Sequence, residues 1–141
     1  MPAAYESHGF SFQYPENWSV ERGEDEESAL QVTVLSPNTA FWSLTVYPGL
    51  RDVRVVLDEM LQAMQAEYPA LEYDPADRRI GTTPLVGYDV NFYYLDLTNT
   101  ALLRVFHYHD ATCVVLAQCE DRELEIAGKI FDAMTTSLLS D

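Results

Sequence analysis

The sequence predicts an α+β fold, an α/β/α sandwich in which a central antiparallel sheet is flanked by helices. Two observations predict it. Several short segments alternate apolar and polar residues, as half-buried strands do, and two longer segments repeat apolar residues every three or four positions, as amphipathic helices do. A length of 141 residues suits a single domain, residues 1–141. No apolar run approaches the roughly 20 residues needed to span a bilayer, so we expect no membrane insertion.

The first third of the chain predicts four short strands separated by turns. Apolar and polar residues alternate in each of them. The apolar positions are Phe10, Phe12 and Tyr14, then Trp18 and Val20, then Leu30, Val32 and Val34, and finally Trp42, Leu44 and Val46. Pro15 and Pro37 mark two of the turns, and the Pro48-Gly49 pair ends this run of strands.

A helix is predicted from Asp52 to Glu67. Its apolar stripe consists of Val53, Val56, Leu57, Met60, Leu61 and Met64. Asp52 suits the N-cap, because its carboxylate can accept hydrogen bonds from the first free backbone N–H groups. Pro69 ends the helix near Tyr68. We therefore expect this stripe to pack on the sheet.

The second half of the chain predicts an antiparallel meander. A long strand runs from Val86 to Tyr94, and polar residues on its other face indicate one covered and one wetter side. The Thr98-Asn99-Thr100 segment is predicted to be the next turn. The later elements are a strand from Leu103 to Tyr108, a bend at Asp110-Ala111-Thr112, and a buried strand from Val114 to Ala117.

A second helix is predicted to close the chain. Its stripe contains Leu124, Ala127, Phe131, Met134 and Leu138, and Ile130 widens it. The acidic residues Glu120, Asp121 and Glu123 are predicted to occupy its first turn, where the positive end of the helix dipole stabilises them.

The charge balance is strongly acidic. The chain has 8 Lys and Arg against 23 Asp and Glu, a net charge of -15. Such a surface repels nucleic acid phosphates, so we expect no nucleic acid partner. The densest acidic run is predicted to be a solvated hairpin loop. Its candidate contacts for a basic protein are Glu24, Asp25, Glu26 and Glu27.

The cysteines indicate a reducing compartment. Cys113 and Cys119 fall in one apparent strand, which separates their Cα atoms by roughly 20 Å. That distance excludes a disulfide between them. The first residues show no signal-peptide pattern. We therefore expect a cytoplasmic protein of bacterial type.

One group of residues suggests a metal site. His107 and His109 are two apart on a predicted strand, and a hairpin turn could bring Cys113 near them. Three such ligands would suit zinc. The alternative is that both imidazoles are hydrated near a hairpin tip, since no fourth ligand is evident. Motifs for phosphate, dinucleotide or nucleophilic catalysis are missing from the sequence, so we expect no cofactor and no enzyme.

The segment from Gly9 to Trp18, GFSFQYPENW, resembles the opening strand and turn of the PsbP-like family. The order of the predicted elements is similar to that family over nearly the whole chain. The resemblance implies an α/β/α sandwich used chiefly for non-catalytic binding or assembly. Family members include a photosystem II extrinsic protein, a Ran-binding nuclear import factor, bacterial lipoproteins and adaptor chaperones of secreted effectors. It implies no particular site residue for this chain.

Three hypotheses for the function follow. The first is a protein-binding or assembly module, monomeric or homodimeric, whose sheet face or acidic loop contacts a basic or hydrophobic protein. The second is an adaptor chaperone for a hydrophobic segment of a secreted effector, which requires an open apolar groove near Trp42, Tyr93 or Tyr108. The third is a small metal- or ligand-binding protein around the two histidines and Cys113.

Overall fold

The structure is a computed structural model that describes residues 2–24 and 26–140. A hairpin of β1 (Pro2–Ser7) and β2 (Phe10–Pro15) stands apart from the main sheet. The other strands are β3 (Ser19–Arg22), β4 (Leu30–Leu35), β5 (Phe41–Pro48), β6 (Glu72–Pro75), β7 (Arg78–Ile80), β8 (Thr83–Tyr94), β9 (Leu97–Tyr108) and β10 (Ala111–Glu120). The helices are α1 (Val53–Glu67) and α2 (Leu124–Leu138), and a 3-10 turn at Asp121–Glu123 leads into α2.

The main sheet is antiparallel throughout, in the order β3-β4-β5-β10-β9-β8-β6, and β7 pairs with β8. Alternate residues of its strands face two separate cores. Phe106 faces α2 and the β1–β2 hairpin, whereas the preceding Val105 faces α1. The sheet is therefore covered on both sides, and the predicted α/β/α sandwich is confirmed.

Both helices form where the sequence predicts them. The Asp52 carboxylate accepts hydrogen bonds from the backbone N–H groups of Arg54 and Val55 and so caps α1. Leu57 and Leu61 are buried against the sheet. On the other face, α2 buries Phe131 and Met134. No helix in the described part of the chain is long and apolar enough to cross a membrane.

The turns of the meander differ from the prediction. Thr98, Asn99 and Thr100 lie inside β9, and the turn is at Leu95-Asp96, where both residues have positive φ, 52° and 64°. Such pairs give the tight turn whose twist matches a hairpin, normally with Asn or Gly.

The next turn shifts in the same way. It lies at His109-Asp110, with φ of 53° and 58°, rather than at Asp110-Ala111-Thr112. The strands β1 and β6 were not predicted, because their exposed, mixed sequences lack clear alternation.

Candidate functional site

An exposed apolar cluster lies where β8 turns into β9. We call residues 93–97 the hairpin tip. Tyr93 is 71% exposed, Tyr94 53%, Leu95 77% and Leu97 46%. These are four of the eight large hydrophobic side chains that are exposed among the described residues. Clustering of this kind on a protein surface usually marks a contact site.

The hairpin tip is held from below by α1. The Tyr68 ring, at the C-terminal end of that helix, lies 4.4 Å from the Phe92 ring and perpendicular to the Tyr94 ring at 6.4 Å. Burial, with the nearby Glu67 carboxylate, raises the pKa of Tyr68. These aromatic contacts pack the base of the hairpin against the C-terminal end of α1.

Register shows that the hairpin tip projects beyond its neighbours. Glu120, the last residue of β10, pairs with Asn99 of β9, and Glu72, the first of β6, pairs with Asn91 of β8. The last two β8–β9 pairs, Tyr93–Thr98 and Tyr94–Leu97, therefore lie beyond the ends of β10 and β6, by about 7 Å at 3.3 Å per residue. The side chains of the hairpin tip are accessible from several directions as a result.

A groove lies at the same end of the sheet, beside the start of α2. We call it the α2 groove, and its volume is about 340 Å³. Apolar residues from two turns and from the helix form much of its wall, namely Pro15, Trp18, Pro37, Ile126, Ala127 and Ile130. A volume of roughly 300–1,000 Å³ is typical of sites that hold an apolar ligand.

Hydrogen bonds hold the loops around the α2 groove. Thr39 Oγ1 donates to the Glu123 carboxylate and accepts from the Glu120 backbone N–H at 3.1 Å. Arg122 Nε donates to Glu120 Oε1 at 2.6 Å on the rim. Lys129, the single lysine of the sequence, is exposed on α2 next to Ile130. The groove therefore has apolar walls, with Arg122 and Glu123 as its charged lining residues.

Trp42 was predicted to contact a partner, but it is fully buried under α2. Its indole Nε1 donates to Thr135 Oγ1 at 3.0 Å, and Phe12 packs on its ring at 4.7 Å. The prediction of an exposed Trp42 is wrong, because alternation places its side chain on one face of β5 without indicating what covers that face. Here α2 and the β1–β2 hairpin cover it.

Tyr93 and Tyr108 lie on the same face of the sheet but at opposite ends of the β8–β9 ladder. Tyr93 pairs with Thr98, ten residues before Tyr108, which is roughly 33 Å along the strand. Tyr108 packs beside Phe10 of the β1–β2 hairpin. The two tyrosines therefore do not form one surface, and the open apolar groove expected near them is found instead beside α2.

The predicted zinc ligands are not brought together. Cys113 is fully buried in the core beneath α2, whereas His107 points to the α1 side and donates from Nε2 to the Arg51 carbonyl oxygen at 2.6 Å. His109 belongs to the turn and packs edge-on against Phe10. Burial raises the pKa of Cys113 to about 12, which opposes the thiolate that zinc requires. The described residues contain no group of three metal-binding side chains.

The acidic loop joins β3 to β4, as predicted, at the end of the sheet opposite the hairpin tip. The Gly23 N–H donates to the Gln31 carbonyl oxygen at 2.9 Å and closes the loop. Glu24, Glu26 and Glu27 are exposed, and Asp25 lies outside the described residues. A role of this loop in binding a basic protein stays a prediction.

No protein-family model matches the chain, and no curated protein does. Its fold is similar to several solved structures. The solution structure of cyanobacterial PsbP (CyanoP) from Synechocystis sp. PCC 6803 has a TM-score of 0.72 at 10% identity, over 96% of this chain and 90% of that one. PA94, a protein of unknown function from Pseudomonas aeruginosa, has a TM-score of 0.60 at 12% identity, over 99% and 97%.

A third similar structure is LpqN of Mycobacterium tuberculosis, involved in cell envelope biogenesis, with a TM-score of 0.57 at 12% identity, over 94% of this chain and 81% of that one. Identities this low support a common fold. The resemblance noted in the sequence is confirmed at that level, and the chain has the PsbP-like fold.

Proposed function

We propose that the protein is a non-catalytic binding module that docks on another protein through the hairpin tip. The observation that carries this proposal is the exposure of Tyr93, Tyr94, Leu95 and Leu97 within five consecutive residues. Tyrosine and other large apolar side chains dominate the energy of protein interfaces when a partner covers them.

The support from α1 favours tight binding by the hairpin tip. Because Tyr68 packs against both Phe92 and Tyr94, less conformational freedom remains to be lost when a partner closes over the crest. A preorganised hairpin therefore suits a docking role better than a loop of the same composition.

Charge indicates the partner's chemistry. Asp96 lies in the turn of the hairpin tip, Glu72 lies on the adjoining β6, and Glu67 lies on α1. Acidic groups around an apolar centre complement a pocket with a basic rim. The partner surface should therefore combine an apolar pocket with Lys or Arg at its edge.

Three of the groups suited to acid–base or nucleophilic chemistry have structural roles instead. His107 binds the Arg51 carbonyl, and burial raises the pKa of Cys113 to about 12 and that of Cys119 to about 11. Protonated thiols are poor nucleophiles. These contacts support a binding role rather than a catalytic one.

Site-specific photo-crosslinking in cells of the source organism tests the proposal. A benzophenone amino acid replaces Tyr93 in one variant and Val55, which is 52% exposed on α1, in a control. We expect position 93 to give one protein adduct of defined mass, identified by mass spectrometry. Adding Leu95→Asp should remove that adduct, whereas Val55→Asp should not. Equal adducts from both positions, or insensitivity to Leu95→Asp, would contradict the proposal.

A further inference from the structure

We propose that the protein forms a two-fold symmetric dimer in which the hairpin tip of each copy fills the α2 groove of the other. This inference rests on the proposed function, because it names a second copy of this chain as the partner of the same hairpin tip.

The α2 groove has the chemistry that the hairpin tip requires. Its lining includes the apolar residues Trp18, Ile126 and Ile130, and its volume of about 340 Å³ gives room for the Leu95 side chain and a tyrosine ring. Ile126 is 74% exposed, so this part of the lining is uncovered in the single chain.

One charge on each surface is complementary. The tip carries Asp96, and Arg122, which is mostly exposed and pairs with Glu120, lines the groove. Cations are scarce in this chain, with 8 Lys and Arg against 23 Asp and Glu. An exposed guanidinium beside an apolar groove therefore favours an occupant that is apolar and acidic, as the hairpin tip is.

The positions of the two surfaces permit a closed dimer. The β4–β5 turn, which forms part of the groove, lies at the same end of the sheet as the hairpin tip, about three strand spacings or 15 Å away. A two-fold axis perpendicular to the strands, passing between the tip and the groove, brings these ends of two copies face to face and can place each tip in the opposite groove. Such an interface is self-complementary and stops at two copies.

The exposed area favours this reciprocal arrangement. Fully exposed side chains of this size offer roughly 150–250 Å² each, so at their observed exposures those of the hairpin tip present on the order of 450 Å². One tip alone falls short of the about 800 Å² per partner of a standard interface. A dimer in which every copy contributes both a tip and a groove has two such contacts and so comes closer to that size.

Salt gives the dimer a signature that a basic partner would not share. Each copy carries a net charge of -15, so two copies repel one another over long range. Raising the ionic strength to about 0.5 M screens this repulsion. Dimerisation should strengthen with salt, whereas binding to a basic protein should weaken.

Sedimentation velocity on the full chain tests the proposal. We expect a species of twice the 16.0 kDa chain mass to form as the concentration rises from about 5 μM to 0.5 mM. Leu95→Asp in the tip and Ile126→Asp in the groove should each raise the dissociation constant at least about tenfold. Val55→Asp is the matched control and should leave it unchanged. Circular dichroism verifies that every variant is folded.

Mixing the two defective variants provides a positive readout. The Leu95→Asp chain keeps an intact groove and the Ile126→Asp chain keeps an intact tip, so together they form one of the two contacts. We expect the mixture to associate more strongly than either variant alone, which loss of folding would not produce.

A wild-type chain that stays monomeric at the highest concentration would overturn the proposal, as would a mixture that associates no better than its components. If the chain is monomeric but the Tyr93 crosslink to a different protein persists, the proposed function stands and this inference fails. A chain that stays monomeric and also gives no Tyr93 crosslink to a different protein contradicts both the dimer and the proposed function.

Discussion

Truncation of Phe131 to alanine tests whether α2 is fixed to the sheet by its core contacts. Phe131 is 2% exposed and meets the edge of Trp18 at 6.2 Å. The crevice beside it has a volume of about 10 Å³, room for at most one water molecule. The Phe131→Ala variant therefore opens a cavity between α2 and the sheet. The paired strands beneath it cannot easily move in to fill that cavity.

We expect Phe131→Ala to lower the free energy of unfolding by about 3–5 kcal/mol. A domain of this size has about 5–15 kcal/mol in total, so the variant should fold but be markedly weaker. Urea unfolding at micromolar concentration measures the change. At a slope of about 2 kcal/mol per molar, the midpoint should fall by roughly 1.5–2.5 M. Far-UV circular dichroism is preferred, because the adjacent Trp18 makes fluorescence respond to the substitution itself.

Val55→Ala is the control, because it truncates a mostly exposed side chain of the other helix. Its effect should stay within about 0.5 kcal/mol. If Phe131→Ala costs less than about 1 kcal/mol, or no more than this control, then α2 does not depend on Phe131. Trp18 in the wall of the α2 groove would then not depend on its contact with Phe131.

Three further predictions concern other parts of the fold. A Cβ on Gly87 would lie 2.5 Å from the Leu103 carbonyl oxygen, so Gly87→Ala should lower the melting temperature in calorimetry, with no change expected if the strands are loosely paired. The Arg54 guanidinium lowers the pKa of Asp77 below its ordinary 3.8, so the stability it adds is present above that value and is lost as pH falls through the lowered one. Asp77→Asn should therefore be less stable than wild type at pH 7, and the difference should shrink as the pH falls through the lowered pKa, which acid-dependent urea unfolding checks. The Cys113 thiol, whose pKa burial raises to about 12, should resist iodoacetamide at pH 8 until urea unfolds the chain; rapid alkylation of the native chain would contradict this.

The helices could be predicted because their signals are local. Asp52 directly precedes the first turn that it caps, and the apolar stripe of α1 repeats within the helix itself. Neither signal needs knowledge of the rest of the chain. The same reason explains why Phe131 was recognised as a core residue of α2 before its neighbours were known.

The turn of the β8–β9 hairpin was missed because its signal is tertiary. Leu95 and Asp96 adopt positive φ without a glycine, although Thr98-Asn99-Thr100 has the stronger turn composition. Asn99 is instead buried within β9, where its side-chain amide donates to the Leu97 carbonyl oxygen at 3.1 Å. Pairing with β8 and β10 sets the register there, and local propensity does not report it.

The candidate site was predictable only in part for a related reason. Period-two alternation identifies a face of a strand but not what covers that face. Tyr93 and Trp42 were therefore equally good candidates for a partner contact when only the sequence was considered. The structure exposes the first and buries the second beneath α2. The α2 groove has no sequence signal of its own, because distant turns at Pro15 and Pro37 supply its walls.

The exposed hairpin tip follows from a mismatch between the lengths of the elements. The 12 residues of β8 extend about 40 Å, whereas the 15 residues of α1 extend about 22 Å. No helix of that length can cover the whole hairpin, so one end must protrude. Stability alone would favour polar residues at that protruding end, since their backbone is already paired and their side chains meet water. Tyr93, Tyr94, Leu95 and Leu97 contradict that expectation, and a surface that binds another protein accounts for them.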